Sequence, residues 1–305
     1  MPQTTKKKPR KKSRKKSGAS TSGILILVLV ILLAITVFIL FRFLRHFSSA
    51  STPEPAVSVS VSAVPTLPPS GLTAECFGES DGYRTYVSDT VTAKLGVDIS
   101  SHQGAIDWDA LSQSPVDFVI LRAGDRGYGD GSVNLDTSFA DNLAAARNAG
   151  LGVGVYFFSQ ALSPEEAEAE AHTVLSQLAD YQIDYPIYFD WEPISDDSAR
   201  TATISSSEIT ACAKRFCETI EAAGYKAGVY FNLAMAQSYY HLTDLMEYEF
   251  WLAEYQDVPT YPYTFGMWQY SNEGSVPGIS TTVDMNLCFK AYGEEPFPAH
   301  DCTGS

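Results

Sequence analysis

Pro186-Ile187-Tyr188-Phe189-Asp190-Trp191-Glu192 reads as a short apolar strand that ends in two carboxylates spaced i, i+2. Side chains alternate along a strand, so Asp190 and Glu192 project to one side with their Cα atoms roughly 6–7 Å apart. Phe189 and Trp191 point the other way. Two acids on one side of a strand end are what cleavage of a glycosidic bond requires. One must be protonated to assist the leaving oxygen, and one ionised to stabilise positive charge at the sugar carbon. Ionising either carboxylate raises the pKa of the other, which helps to hold those states apart. A lone Asp-x-Glu also occurs in acidic loops beside ordinary buried strands, so its meaning depends on the rest of the chain.

Outward from this strand, apolar segments recur at 94–100, 118–124, 152–158, 185–192, 227–232, 249–255, 265–270 and 282–288. Helical patterns fill the early gaps. One covers 137–149, with Asn148-Ala149-Gly150 as its stop. A second opens on Ser163-Pro164-Glu165-Glu166, an N-cap, an N1 proline and an acidic first turn, and runs to about residue 178. A third spans 207–223 and closes on Gly224. Later connections are too short for full helices, apart from one near 234–240. This α/β alternation predicts an irregular, parallel-type (β/α) TIM-like barrel of eight strands with late helices missing or short. A doubly wound open sheet is the alternative, but no Gly-x-Gly-x-x-Gly follows an early strand.

Barrels of this kind carry their chemistry at the C-terminal strand ends. Here those ends hold Asp98 with Gln103 just beyond, then Asp190 and Glu192, then Tyr230 and Asn232. They continue with Trp251, Glu254 and Tyr255, with Trp268, Gln269 and Tyr270, and with Asp284 and Asn286. Any one of these aromatics is more often core than ligand platform. Their recurrence at one end of successive strands, beside fixed carboxylates, suits a sugar polymer.

The flanks carry a different signal. The 305-residue chain has a formal charge of −15, but residues 1–46 hold eleven Lys or Arg and no acid, leaving ten basic residues against all 36 acidic ones. An acidic body is a poor partner for nucleic acid or anionic polymers. Residues 24–41 are uncharged with only Thr36 polar, long enough for a transmembrane helix, drawn as 24–44. Nine basic residues between Lys6 and Lys16 precede it and favour a cytoplasmic N-terminus. A nuclear-localisation reading of that cluster is weaker beside the apolar run. Ser48-Ser49-Ala50 resembles a signal cleavage site, yet Arg42 and Arg45 intervene, which favours an uncleaved anchor with the catalytic body extracellular. The expected organisation is a basic segment 1–23, the helix 24–44, a Ser/Pro/Val-rich linker 45–74, a lead-in 75–93, the barrel 94–292 and a tail 293–305.

At this point several blocks resemble one family. Gly96-Val97-Asp98-Ile99-Ser100-Ser101-His102-Gln103-Gly104, followed by Ile106-Asp107-Trp108, is similar to the opening of the family 25 glycoside hydrolases, the Chalaropsis-type lysozymes. So are Tyr188-Phe189-Asp190-Trp191-Glu192, Gly228-Val229-Tyr230, Trp251-Leu252-Ala253-Glu254-Tyr255, Trp268-Gln269-Tyr270 and Val283-Asp284-Met285-Asn286. The resemblance covers about 95–289. It implies hydrolysis of the β-1,4 bond from N-acetylmuramic acid to N-acetylglucosamine in peptidoglycan, without a cofactor. It makes Glu192 the general acid and later the base, and Asp190 the partner of the substrate's own acetamido group as that group attacks the sugar carbon. Asp98, Asp284 and Tyr230 match groove positions of the family, and Tyr156, Tyr188, Trp251, Trp268 and Gln103 complete the candidate substrate-binding set. One departure is Phe157, where members often carry a His.

Other residues read more plainly. His102 is a hydrogen-bonding loop residue with no second ligand nearby, and Asp107 reads as a helix cap. Asp125, Asp130 and Asp136 lack the spacing of a calcium loop and suggest a solvated loop over the groove. Of five cysteines, Cys212 and Cys217 lie about 140° apart on one helix and do not face each other, while Cys76 and Cys302 flank the body and suit a link between its ends. Three functions compete: a membrane-anchored, monomeric muramidase acting on peptidoglycan, a chitinase-like glycosidase, and an inactive wall-binding module. The chitinase pattern needs an acid two residues before Asp190, where this chain has Tyr188.

Overall fold

Runs of buried apolar residues such as Phe118-Val119-Ile120-Leu121 carry strands because both of their faces are covered, one by the barrel interior and one by helices. The computed structural model describes residues 66–179 and 181–292. The chain divides into two units, Met1–Ala63 and Val64–Ser305, and every described residue belongs to the second. The barrel strands are β3 (Lys94–Ile99), β4 (Phe118–Arg126), β6 (Gly152–Ser159), β7 (Ile187–Trp191), β8 (Ala227–Asn232), β9 (Glu249–Ala253), β10 (Met267–Gly274) and β11 (Val283–Cys288). Preceding and interleaved with them are a hairpin, β1 (Phe77–Ser80) and β2 (Tyr83–Tyr86), and the short β5 (Val133–Leu135). The barrel order is β3-β11-β10-β9-β8-β7-β6-β4, closed by pairing of β3 with β4.

All pairings in that ring are parallel except those of β11, which runs antiparallel to both β10 and β3. The eight-strand (β/α) barrel is the one expected, and β11 is its single departure from the parallel arrangement. Only eight residues separate β10 from β11, and a parallel crossover needs a dozen or more.

The helices are α1 (Trp108–Ser112), α2 (Phe139–Asn148), α3 (Pro164–Leu178), α4 (Ser206–Ala222) and α5 (Leu233–Ser238). Their starts follow the local code. Asp107 Oδ1 accepts from Ala110 N, Ser163 accepts from Glu166 N, and Ser205 with Glu208 closes a capping box. No full helix follows β9 or β10. The hairpin β1–β2, which falls in what composition marks as a mere lead-in, covers that gap. Phe77 stands edge-on to Trp268 at 5.4 Å, and Tyr86 to Phe289 at 5.4 Å. Pro69, counted with the linker on composition, bridges to Tyr263, and Ser70 N donates to Pro262 O at 3.0 Å.

Inside the barrel, alternation stacks side chains in layers. Rings of Phe118 and Tyr185 stack at 4.4 Å in the lower layer, and Tyr188 packs on Trp251 at 5.1 Å. Two glycines make room for these rings: a Cβ on Gly96 would lie 2.2 Å from Phe118, and one on Gly228 2.5 Å from Tyr188. Outward-facing Phe189 packs on Phe216 of α4, and Trp191 on Tyr239 and Tyr240. Cys212 and Cys217 are buried separately against Ala161 O and Gly228 O and do not bridge.

Between β4 and α3 lies a buried ion pair, Arg126 with Glu170. Ser159 Oγ also donates to Glu170 at 2.6 Å, and Arg126 Nη1 to Gly131 O at 2.9 Å. Arg126→Ala would strand a fully buried carboxylate and is expected to cost about 3–5 kcal/mol in a thermal or denaturant melt. Replacing both partners with leucine is expected to cost less than removing either one.

The expected basic segment, membrane helix, most of the linker, the tail and Cys302 lie outside the described residues. Among the described residues no helix is long and apolar enough to cross a membrane.

Candidate active site

A cavity of about 340 Å³ opens at the C-terminal ends of the barrel strands. Asp190 and Glu192 reach it from β7 and the residue just beyond it, because i, i+2 spacing keeps both on the inward side. Asp98 on β3 and Asp284 on β11 enter from the neighbouring antiparallel pair, where they stand in direct register. Tyr156, Tyr230 and Trp251 also line it. Seven of the ten sequence-predicted site residues therefore converge.

Three do not. Tyr188 shares the inward parity but sits a layer deeper, fully buried among the core rings. Trp268 has the opposite parity from Gln269. Its ring packs on the hairpin, and its Nε1 donates to Glu254 O at 2.8 Å. Gln103 is spent on a cap, its Oε1 accepting from Ser100 N at 2.8 Å. In their place the cavity gains Arg122, Phe158, Tyr255, Gln269 and Asn272. Arg122 had a legible signal: it follows Phe118 and Ile120 at even spacing, so a lone cation stands on the inward face of an apolar strand.

A chain of fixed dipoles holds Asp98. Gln269 Nε2 donates to Asp98 Oδ2 at 2.9 Å, and Asn286 Nδ2 donates to the same oxygen at 2.8 Å. The Gln269 carbonyl accepts from the hydroxyls of Tyr230 (3.1 Å) and Tyr255 (3.0 Å), and the Asn286 carbonyl from Trp251 Nε1 (2.8 Å). Trp251 is 1% exposed, so it forms the floor and orients Asn286 rather than offering a face to a ligand.

Four carboxyls share this space, and the cationic side chain lining it is Arg122. Its Nε donates to Asp136 Oδ2 at 2.9 Å and its Nη2 to Ser101 Oγ at 3.3 Å. Burial pushes the Asp136 carboxyl up, but backbone N–H groups of Ser101 and Ser138, then Arg122, hold it below the ordinary value. Arg122 is thus already paired with Asp136, and the four carboxyls are raised by burial and by one another. Burial, then Asp284, pushes Asp98 well above the carboxylate range, against the pull of Asn286 and Gln269. Asp98 and Asp284 stand in direct register and titrate as a pair, each raising the cost of ionising the other. Burial also raises Asp284. Asp190 is raised well above the usual range by burial first, then by Glu192 and Asp98, with Arg122 opposing. Glu192 is raised by burial and then by Asp284. Asp190 Oδ1 is buried without a hydrogen-bond partner. An orphaned carboxylate oxygen beside a proton-holding acid is an arrangement that waits for a donor.

The remaining candidates are occupied elsewhere. Asp130 caps Ser132, Asp125 accepts from Asn134, and Asp136 serves Arg122. His102 is exposed, with its backbone N–H on Ser100 Oγ.

The model of glycosyl hydrolases family 25 matches residues 97–279. The autolytic lysozyme of Clostridium acetobutylicum is 27% identical over 192 residues, 63% of this chain and 54% of that protein. Lysozyme M1 of Streptomyces globisporus is 26% identical over 204 residues, 63% of this chain and 66% of that protein. Among solved structures, the modular autolysin LytC of Streptococcus pneumoniae matches with a TM-score of 0.60 and 27% identity, covering 70% of this chain and 52% of that one. LytC has also been solved in complex with a synthetic peptidoglycan ligand. The chain spans about half the length of the Clostridium lysozyme and of LytC.

Proposed function

The chain belongs to glycosyl hydrolase family 25, and from that membership and the carboxyl cluster we propose that it is a muramidase, cleaving the β-1,4 bond from N-acetylmuramic acid to N-acetylglucosamine in peptidoglycan. The observation that carries the reading is the orphaned Asp190 Oδ1 beside Glu192 in a cavity whose burial raises both carboxyls. A 2-acetamido sugar brings the missing donor. Its N–H bonds to Asp190, and its carbonyl oxygen then attacks the neighbouring sugar carbon as the glycosidic bond breaks. The Glu192 proton passes to the leaving oxygen. Asp190 stabilises the cyclic cation through that N–H, and Glu192 then takes a proton from water, whose oxygen reopens the ring on the same face. Two displacements return the original configuration. Asp98, fixed by Gln269 and Asn286, pairs with Asp284 to form the acidic wall opposite β7.

Zymography of the body from Val64 onward tests the substrate. Clearing of peptidoglycan and not of chitin supports this reading. Clearing of chitin alone supports the chitinase-like alternative, and binding without clearing supports an inactive wall module.

The enzyme acts, in this proposal, as a monomer on wall outside the cell, held through residues 24–41. That apolar run and the basic cluster before it support the topology. Mass spectrometry of the mature protein is expected to find the native N-terminal region. A mature chain starting near Ser51 would replace the anchor with a cleaved signal.

A further inference from the structure

Above the catalytic cavity, β4 runs on past the end of β3. The two strands pair only as far as Ile99 and Leu121, and from Gly124 to Arg126 β5 takes the place of β3. The same extension pairs with β6, Asp125 beside Phe158. Paired residues share a sheet face, so Phe158, Asp125 and Asn134 form one row. Phe158 lines the cavity, which makes this the groove face.

Two contacts agree with that parity. Asn134 Nδ2 donates to Asp125 Oδ1 at 3.0 Å, which needs both side chains on one face. Arg126, next in sequence, points the other way into its ion pair with Glu170 on α3. The result is a wall with an aromatic ring at its foot and a carboxylate–amide pair above. Among the described residues neither Asp125 Oδ2 nor Asn134 Oδ1 has a hydrogen-bond partner in the protein. The turn that carries the wall is fastened. Arg126 Nη1 holds Gly131 O at 2.9 Å, Asp130 Oδ1 accepts from Ser132 N at 3.0 Å, and Arg200 N donates to Tyr128 O at 2.8 Å.

Tyr255, 48% exposed, stands at the far rim just beyond β9, which lies four places from β4 in the ring of eight. The mouth of an eight-strand barrel is about 15 Å across. A glycan lying over Asp190 and Glu192 therefore meets Tyr255 on one side and this wall on the other.

We propose that Asp125 and Asn134, standing outward of Phe158 on this wall, form a glycan subsite next to the one at the scissile bond, binding hydroxyl and acetamido groups of an N-acetylhexosamine whose chain reaches them past Phe158. This rests on reading the cavity as a glycosidase site. Its consequence is a preference for long strands over short oligomers.

The test uses the full chain and peptidoglycan glycans of graded length. Turnover is followed by new reducing ends, and binding by calorimetry in the Glu192→Gln chain. Asn134→Ala and Asp125→Ala are each expected to raise KM on long strands about 5–10-fold, with kcat within about twofold and the shortest cleavable oligomer unaffected. Affinity for long strands should fall by the same factor. Unchanged KM and affinity on long strands would overturn the subsite. Equal losses at every length would overturn it too, because general damage to the fold acts that way, and melting curves of each variant check for such damage. Failure of the native chain to cut any glycan would instead remove the glycosidase reading. The calorimetric comparison would then decide alone whether the wall binds sugar.

Discussion

Glu192→Gln is expected to lower turnover on peptidoglycan by about 10²–10⁴-fold while leaving binding to the wall near the native level. The amide keeps the shape of the side chain at the cavity mouth and removes the one proton the leaving oxygen needs. Burial and then Asp284 raise the pKa of Glu192, so it stays protonated to higher pH than a solvated glutamate. The sign follows. The acid form is present below that raised pKa, and native kcat/KM should fall as pH rises through it. In Glu192→Gln this alkaline limb should vanish with the bulk of the rate. Near-native turnover in the variant, or an alkaline limb that survives unchanged, would remove Glu192 from the acid role.

Asp190→Asn is expected to lower kcat by a comparable factor, for a different reason. The amide cannot supply the negative charge that stabilises the cyclic cation, so the loss falls on bond breaking more than on binding. In the free enzyme Asp190 is raised by burial, then by Glu192 and Asp98, and has no donor on Oδ1. The substrate's N–H supplies one, and a hydrogen bond to the ionised form lowers a carboxyl pKa. The acid limb of kcat should therefore lie at lower pH than that of kcat/KM. Stability should move the other way. A carboxyl whose pKa is raised on folding binds its proton more tightly in the native state. Native stability is then lost as pH rises from the unfolded value through the folded one. Asp190→Asn removes that loss and is expected to raise the melting temperature by a few degrees at neutral pH. Proton NMR of the first turnover should show retained configuration at the cleaved carbon. Inversion, or a sugar ester trapped on Asp190, would exclude assistance by the acetamido group.

Much of this architecture was legible in the chain. The helix start at Ser163 rests on a side chain that bonds a backbone group three residues away, so local sequence suffices, whereas the helix expected from 207 begins at Ser206 behind a capping box at Ser205. The pairing of Asp190 with Glu192 follows from strand alternation alone. What parity cannot give without neighbours is which face is inward. Trp268 and Gln269 are adjacent at a strand end, and either could face the substrate on sequence alone. The register of β10 with β9 places Gln269 beside Ala253, in the row that faces the cavity. Tyr188 fails as a site residue for a related reason. It has the inward parity, but depth along the strand puts it under the floor.

The sequence by itself determined the strand positions, the acid motif, the caps and the family, because each is set by residues within one turn or one strand of each other. The tertiary structure decided the antiparallel last strand, the hairpin that stands in for the missing helices, and the wall carried by β4 and β5. It also decided that four carboxyls share one buried space. Asp98 and Asp284 are 186 positions apart in the chain and adjacent in the barrel, and burial in a shared low-dielectric space couples them. Charge, unlike helix or strand, is a property of the space the side chains enclose together.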